Sequence, residues 1–213
     1  MKQRRLTLLI MSLGMLGLFS AHAQAPATAL KGYVMEIQMV PAICALDKQK
    51  NKKRKCVEGY SLNISGFYPD TTQEKCHTNS PATLLPLQAK VVSRVMPDQN
   101  ARAQLWANYG GCVPMNASQY FRTIINYADR LNVPLELSAA DDNEMNISRL
   151  RADFLKLNKS MPNQSLQFNC QLLNRTHVLT SIDICYNAVG KYKQCPKDMT
   201  TNCPYHFTIK GTF

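Results

Sequence analysis

Hydrophobic and polar positions alternate near the start of the chain as they do in a β-strand. Between residues 33 and 40, apolar side chains at odd positions alternate with an even-numbered set that includes Glu36 and Gln38, which predicts a strand with one buried face. A second strand is predicted over residues 61–68, where a Pro-Asp pair stops it. Residues 47–55, with the sequence DKQKNKKRK, are predicted to form a basic loop between these strands.

In the middle of the chain, apolar residues recur at intervals of three and four, which predicts helices. These are expected over residues 81–96, 99–108, 116–131 and 147–157. Asn116, followed three residues later by Gln119, is typical of a capping box at a helix start. The last third returns to strand patterns, over residues 166–172, 178–186 and 206–209. Strands at both ends with helices between them predict an α+β domain, with a central antiparallel sheet and helices packed around it.

The first 23 residues are typical of a signal peptide. Basic residues precede an apolar run from position 6 to about position 20, and Ala21-His22-Ala23 then gives a small-x-small cleavage pattern. The run is shorter than the roughly 20 residues that a membrane-spanning helix needs. We therefore expect residues 24–213 to form a single periplasmic or secreted domain with no membrane span after the leader is removed.

All eight cysteines lie after the predicted leader. An even number of cysteines in an exported chain predicts a framework of four disulfides. The chain has no C-x-x-C pair and its cysteine spacings do not suit zinc, so neither a metal nor another cofactor is expected. Cysteine counting alone leaves about 105 possible pairings.

The chain is basic, with a formal net charge of +11 that falls to +8 without the three basic residues of the leader. A positive balance favours encounter with polyanions such as RNA, lipopolysaccharide or acidic lipid surfaces. It indicates a kind of partner and no particular chemistry.

Two short segments resemble the signatures of the ribonuclease T2 family. LNISGFYP, at positions 62–69, resembles the first family motif, F-T-x-H-G-L-W-P. QLWANYGGC, at positions 104–112, resembles the second motif, H-E-W-x-K-H-G-T-C, and Trp106, Gly110 and Cys112 hold the register. Further similar segments lie at positions 33–44, 95–98 and 119–123 and around Cys170 and Cys203.

This resemblance covers nearly all of the chain after the leader and implies the T2 fold, in a divergent member of the bacterial, ribonuclease I-like type. It also implies a disulfide pairing: Cys44–Cys56, Cys76–Cys112, Cys170–Cys203 and Cys185–Cys195. In this pairing the second bridge would bring the two motifs together.

Members of the family cleave RNA through a 2′,3′-cyclic phosphate, with two histidines that transfer protons and a glutamate and a lysine that assist. Here Ser65 and Tyr109 stand at the catalytic histidine positions, Leu105 at the glutamate position and Asn108 at the lysine position, while Gln104 replaces the leading histidine. Serine is no base unaided, and a tyrosine with a pKa near 10 is a poor one at neutral pH. The sequence therefore predicts no catalytic residue at these degenerate positions.

Four residues are candidates for ligand binding in the old cleft. Tyr68, Tyr109 and Trp106 have aromatic faces on which a nucleobase could stack, although core packing is the favoured interpretation of Trp106. His77 adjoins Cys76 and could face the cleft, but an exposed loop position is favoured.

The basic loop contains the densest cluster of charge in the chain: Lys48, Lys50, Lys52, Lys53, Arg54 and Lys55. It could bind phosphates or an acidic protein partner, although a solvated loop is the favoured interpretation.

Three functions stay open from the sequence. The leading one is a catalytically inactive homologue that binds RNA, nucleotides or another anionic ligand. The second is an endoribonuclease that uses unconventional groups, and the third is an envelope or host-directed protein-interaction module. The oligomeric state is not predicted.

Overall fold

A computed structural model describes residues 30–49, 54–73 and 75–212. The predicted leader and Lys50, Lys52 and Lys53 of the basic loop lie outside this part. The elements are β1 (Gly32–Met39), α1 (Val40–Leu46), α2 (Arg54–Val57), β2 (Leu62–Asp70), α3 (Pro86–Val92), α4 (Gln99–Tyr109), α5 (Ala117–Arg130), β3 (Asn143–Asn146), α6 (Ile147–Leu157), β4 (Leu166–Leu173), β5 (Thr176–Asn187) and β6 (His206–Ile209).

The strands form one six-stranded sheet in the order β2-β1-β5-β6-β3, with β4 paired to β5. Four of its strand pairings are antiparallel, whereas β5 and β6 are parallel where Val178 meets Thr208. The predicted α+β class is confirmed, and the sheet is mixed because the long connection after β5 returns the chain to run beside it in the same direction.

The apolar face of the sheet forms the core together with the central helix α5. On β1, the odd-numbered side chains from Tyr33 to Met39 are all at most 5% exposed. They pack in one cluster with the α5 stripe that contains Tyr120, Phe121 and Ile124. The alternation and the helical stripe predicted from the sequence therefore meet in the same core.

The predicted capping box at the start of α5 is confirmed. The Asn116 side chain accepts a hydrogen bond from the Gln119 backbone N–H at 3.0 Å. The Gln119 side chain accepts one from the Asn116 N–H at 2.9 Å. This reciprocal pair fixes where the helix begins.

All four disulfides implied by the family resemblance are present: Cys44–Cys56, Cys76–Cys112, Cys170–Cys203 and Cys185–Cys195. In the second bridge the Cα atoms are 4.7 Å apart. Beside it, the Gly111 N–H donates to the Cys76 carbonyl at 2.7 Å. The loop that follows the first motif is therefore attached to the end of the second.

The helix predicted over residues 81–96 is shorter than expected and covers only Pro86–Val92. Proline is favoured in the first turn of a helix because it has no N–H to satisfy there. After the helix, the Val95 carbonyl accepts a hydrogen bond from the Ile64 N–H of β2 at 2.8 Å. Pairing with the sheet edge therefore ends the helical segment before Pro97 does.

Three other segments differ from the sequence predictions. Residues 40–46, expected only to end the first strand, form α1 with Pro41 in the first turn. Part of the predicted basic loop is the short helix α2. Strand β3 was missed because its four residues, NEMN, carry no usable alternation and depend on pairing with β6.

Within the described ranges, no helix is long and apolar enough to cross a membrane.

Candidate functional site

Ser65 occupies an irregular position in β2. Glu36 of β1 pairs with Gly66, and the next residue, Ile37, pairs with Ile64, so Ser65 is the extra residue of a β-bulge. Its hydroxyl makes only a long contact of 3.5 Å to the Glu36 carbonyl. Bulges redirect side chains and occur often beside active sites. Here the redirected side chain carries no group that titrates near neutral pH.

The space in front of Gly66 is filled by Tyr68. A Cβ atom added to Gly66 would lie 2.1 Å from the Tyr68 ring. The Tyr68 hydroxyl donates a hydrogen bond to the Glu36 carboxylate at 2.8 Å, and its ring meets Tyr109 of α4 edge-on with centroids 5.1 Å apart. Burial, and then the Glu36 charge, raises the pKa of Tyr68 far above its usual value. Tyr68 is therefore a neutral hydrogen-bond donor that closes this part of the polar face.

Helix α4 carries the other degenerate positions of the second motif. Leu105 is buried against the core, Tyr109 is half-buried, and Gln104 and Asn108 are exposed. Tyr68 and Tyr109 are therefore in contact, whereas the Leu105 side chain belongs to the hydrophobic core.

Trp106 is a core residue. Its side chain is 3% exposed, its ring packs against Tyr120 with centroids 5.5 Å apart, and its indole N–H donates to the Ser80 carbonyl at 2.8 Å. A ring held in this way offers no face to a nucleobase. Trp106 is therefore not a candidate for ligand binding. It packs in the core, which was the interpretation favoured from the sequence.

Two carboxylates that the sequence analysis did not select lie beside these tyrosines. Glu36 on β1 pairs directly with Asp183 on β5, so both side chains point to the face of the sheet away from the core. Asn169 of β4 donates a hydrogen bond to Asp183 at 2.8 Å. Sequence alternation had placed Glu36 on this face, but only the long-range pairing with β5 identifies its partner.

The environment of Asp183 favours its protonated form. Burial raises its pKa to about 6, the hydrogen bond from Asn169 opposes this shift, and the Glu36 carboxylate adds to it. The polar face at this point is thus acidic rather than basic, which disfavours a phosphate directly above it.

The histidines of the described part lie on the surface. His77 is exposed, and its ring is 3.1 Å from the side-chain oxygen of Asn79 in the same loop. His177 and His206 are also exposed at strand ends. His77 therefore lies in an exposed loop, as the sequence analysis favoured. Within the described part, no hydrogen bond joins its ring to Ser65 or Tyr109.

The described part of the basic loop flanks the polar face. The Lys55 ammonium donates to the Gln38 side chain of β1, and Gln38 lies two residues from Glu36 on the same side of the strand. Arg54 forms a 2.6 Å ion pair with Glu58, while Lys48 is exposed. The bridge Cys44–Cys56 joins the two ends of this loop.

Residues 30–49, 54–73 and 75–212 contain no group of three or more histidine, cysteine, aspartate or glutamate residues that could hold a metal ion.

Solved structures of plant ribonucleases are similar to the chain over most of its length. Ribonuclease MC1 from bitter gourd seeds is 14% identical, with a TM-score of 0.65, and the match covers 83% of this chain and 98% of that one. Japanese pear S3-RNase is 16% identical with the same TM-score and coverage. The fold is that of the T2 ribonucleases. An RNase-related protein from Calystegia sepium shares this T2 fold at 16% identity and a TM-score of 0.64, covering 84% of this chain and 96% of that one.

No protein-family model matches the sequence, and neither does any curated protein. At identities this low the structural likeness establishes the T2 fold alone.

Proposed function

We propose that this chain is an exported protein of the ribonuclease T2 fold that does not cleave RNA and instead binds RNA, nucleotides or another anionic ligand. On the motif resemblance, we assign it to the bacterial, ribonuclease I-like type. The observation that carries the proposal is the position of Tyr68, which covers Gly66, hydrogen-bonds Glu36 and touches Tyr109.

The chemistry of this position supports the loss of catalysis. Cleavage needs one group to take the 2′-hydroxyl proton and another to protonate the leaving oxygen, and each contributes a factor of about 10² to 10⁴. At the four aligned positions the chain offers a serine, a leucine, an asparagine and a half-buried tyrosine. The adjacent acid pair, Glu36 and Asp183, would repel a phosphate rather than stabilise it.

The charge distribution supports an anionic ligand held beside the old site. The basic loop, residues 48–55, carries six cations, and Lys55 anchors its end to the polar face at Gln38. Ribonuclease MC1 variants of the same fold have been solved in complex with 5′-UMP and 5′-GMP. The predicted leader and the four disulfides support periplasmic or secreted localisation.

The test uses fluorescently labelled single-stranded RNA at near-physiological salt, because nonspecific phosphate contacts weaken steeply with salt. We expect intact RNA across pH 4 to 8 and measurable binding. The variant K48E/K50E/K52E reverses three charges in the loop and should lose at least about tenfold in affinity, since each phosphate contact contributes separately.

A matched control reverses three exposed lysines elsewhere, in K156E/K159E/K191E. The proposal requires this control to retain most of the affinity. Equal losses in the two variants would mean that only net charge matters, and cleavage by the purified protein would contradict inactivity.

One observation favours the second function, a ribonuclease with unconventional groups. Asp183, whose pKa burial raises to about 6, lies beside the Glu36 carboxylate in the strand pairing. If purified protein does cleave RNA, the variants D183N and E36Q should each abolish the activity, whereas H77A should not.

A further inference from the structure

Arg102 is the most deeply buried arginine in the described part of the chain, with only 8% of its surface exposed. It lies in α4, and its guanidinium donates a hydrogen bond to the Met96 carbonyl. No carboxylate of the described residues forms an ion pair with it. Asp98 lies close enough to act on its charge, but the Asp98 Oδ1 atom already accepts two backbone N–H groups as the helix N-cap.

A buried cation that forms no ion pair is unfavourable, because its single hydrogen bond replaces only part of the hydration that the charge has lost. Burial lowers the pKa of Arg102 from its ordinary value, and the nearby charge of Arg54 lowers it further against the effect of Asp98. A guanidinium nevertheless stays protonated in proteins. Arg102 is therefore a permanent cation with five N–H donors, of which one hydrogen bond to protein uses only part.

Arg102 is one of the residues that line a cavity of about 380 Å³. Thr83 and Gln99 contribute exposed polar side chains to the same cavity, and Phe121 belongs to its apolar wall. A few convergent polar groups over an apolar wall are what small-molecule sites present. The cavity uses none of the degenerate motif positions described above, so it is a separate site.

We propose that this cavity binds a phosphomonoester, with Arg102 donating to two of its oxygens. Arginine matches phosphate in such a two-pronged geometry. The described residues that line the cavity include the cation Arg102 and no carboxylate, and a cation attracts a dianion more strongly than a singly charged carboxylate. The volume admits inorganic phosphate, a mononucleotide or the 5′-phosphorylated end of an RNA strand. Binding of a 5′-phosphorylated RNA end rests on the proposed function. It would let the protein distinguish RNA with a 5′-phosphate from RNA with a 5′-hydroxyl.

The experiment titrates the full mature protein by calorimetry with inorganic phosphate, with 5′-UMP, and with one RNA sequence carrying either a 5′-phosphate or a 5′-hydroxyl. We expect the phosphorylated RNA to bind at least about tenfold more tightly, the difference that a charge-assisted hydrogen bond makes. Binding of phosphate or 5′-UMP without discrimination between the RNA ends would support the site and identify a small phosphate as its ligand. No binding of any phosphomonoester would overturn it.

Two variants locate the effect. R102M removes the charge but also the bond to Met96, so its folding is checked by thermal unfolding. Q99E adds a negative charge to the cavity at the first position of α4, where an acidic residue stabilises a helix. Both should lower phosphomonoester affinity at least about fivefold, whereas N100E, one position further along the same helical turn, should change it less than about twofold. Equal losses in Q99E and N100E, or unchanged binding in Q99E, would overturn the site.

Failure here is distinguishable from failure of the proposed function. RNA that binds equally well with either end, through the loop lysines alone, refutes the cavity and leaves the proposed function in place. Inorganic phosphate that binds in an Arg102-dependent way to a protein with no RNA affinity refutes RNA as the ligand and supports the cavity.

Discussion

At the scale of single residues, Glu36 organises the polar face of the sheet. Its carboxylate accepts the Tyr68 hydroxyl, its carbonyl receives the long contact from Ser65, and its pairing partner across the strands is Asp183. Tyr68 stays over Gly66 because that bond holds it there. Partial burial and the neighbouring Glu36 charge raise the pKa of Asp183. Two predictions follow from these contacts.

The variant G66A should displace the Tyr68 ring, because the new methyl group would lie 2.1 Å from the ring. We expect it to lower the free energy of unfolding by about 1 to 3 kcal/mol, as overpacking does. Urea denaturation measures this change, with S65A as a control that should lie within about 0.5 kcal/mol of the wild type. In a Y68A background the clash is absent and G66A should have little effect; an undiminished loss there would contradict the packing.

Asp183 should make stability fall as pH rises from about 4 to 6. Its folded pKa, about 6, lies above the unfolded value of about 3.9, so the folded state binds the extra proton in this window and is favoured at the acidic end. The penalty at neutral pH is up to about 3 kcal/mol by the linkage of pKa to free energy. Urea unfolding of wild type and D183N across this range checks it: the gain of D183N over wild type should grow with pH, and parallel profiles would refute the shift.

At the scale of elements, α5 is the helix that packs on the core face of the sheet. Its stripe packs on β1 and β2, and the Tyr120 hydroxyl donates to the Phe67 carbonyl of β2. Its start is set by Asn116 rather than by tertiary contacts, since both capping-box bonds are local. The position of β2 therefore depends partly on a local signal some fifty residues away along the chain.

The variant N116A should destabilise the domain by about 1 kcal/mol, because it removes the acceptor for an unpaired N–H at the helix start. N126A, at an exposed position inside the same helix, is the matched control and should be near neutral or slightly stabilising, since alanine is the better helix former. Chemical denaturation separates the two, and equal effects would argue against the cap.

Local signals explain why some elements could be predicted from the sequence and others could not. Helix α5 is predicted by its apolar stripe and its capping box, and β1 is predicted by its strict alternation of apolar and polar residues. The bounds of α3 depend on the hydrogen bond between Ile64 and Val95, which no local pattern reveals. In the candidate site, Tyr68 and Tyr109 were found through the motifs, whereas Asp183 matters because of its burial and its distant partner Glu36. Arg102, in the separate cavity, matters because of its burial.

At the scale of the whole molecule, the disulfides close loops of different lengths. Cys76–Cys112 closes a separation of 36 residues and Cys44–Cys56 one of 12. In the chain-entropy model the longer loop restricts the unfolded chain more. Cys76–Cys112 therefore contributes more to stability, and it does so in the region where the two motif segments meet. Cys44–Cys56 closes only the short connection between α1 and α2.

Replacing Cys76 and Cys112 by serine should lower the free energy of unfolding by about 2 to 5 kcal/mol, and about 1 kcal/mol more than the same change at Cys44 and Cys56. Denaturation of the two double variants under non-reducing conditions provides the comparison. A greater loss from opening the shorter loop would contradict the entropic ordering.

The hydrogen bond between Ile64 and Val95 also affects association between copies of this chain. β2 is the last strand on its side of the sheet, and an open strand edge invites a second molecule to add a strand. Because the Val95 carbonyl occupies the outward N–H of Ile64, this edge is already paired in part. The segment after α3 therefore covers part of the β2 edge. This cover disfavours strand addition and aggregation at that edge.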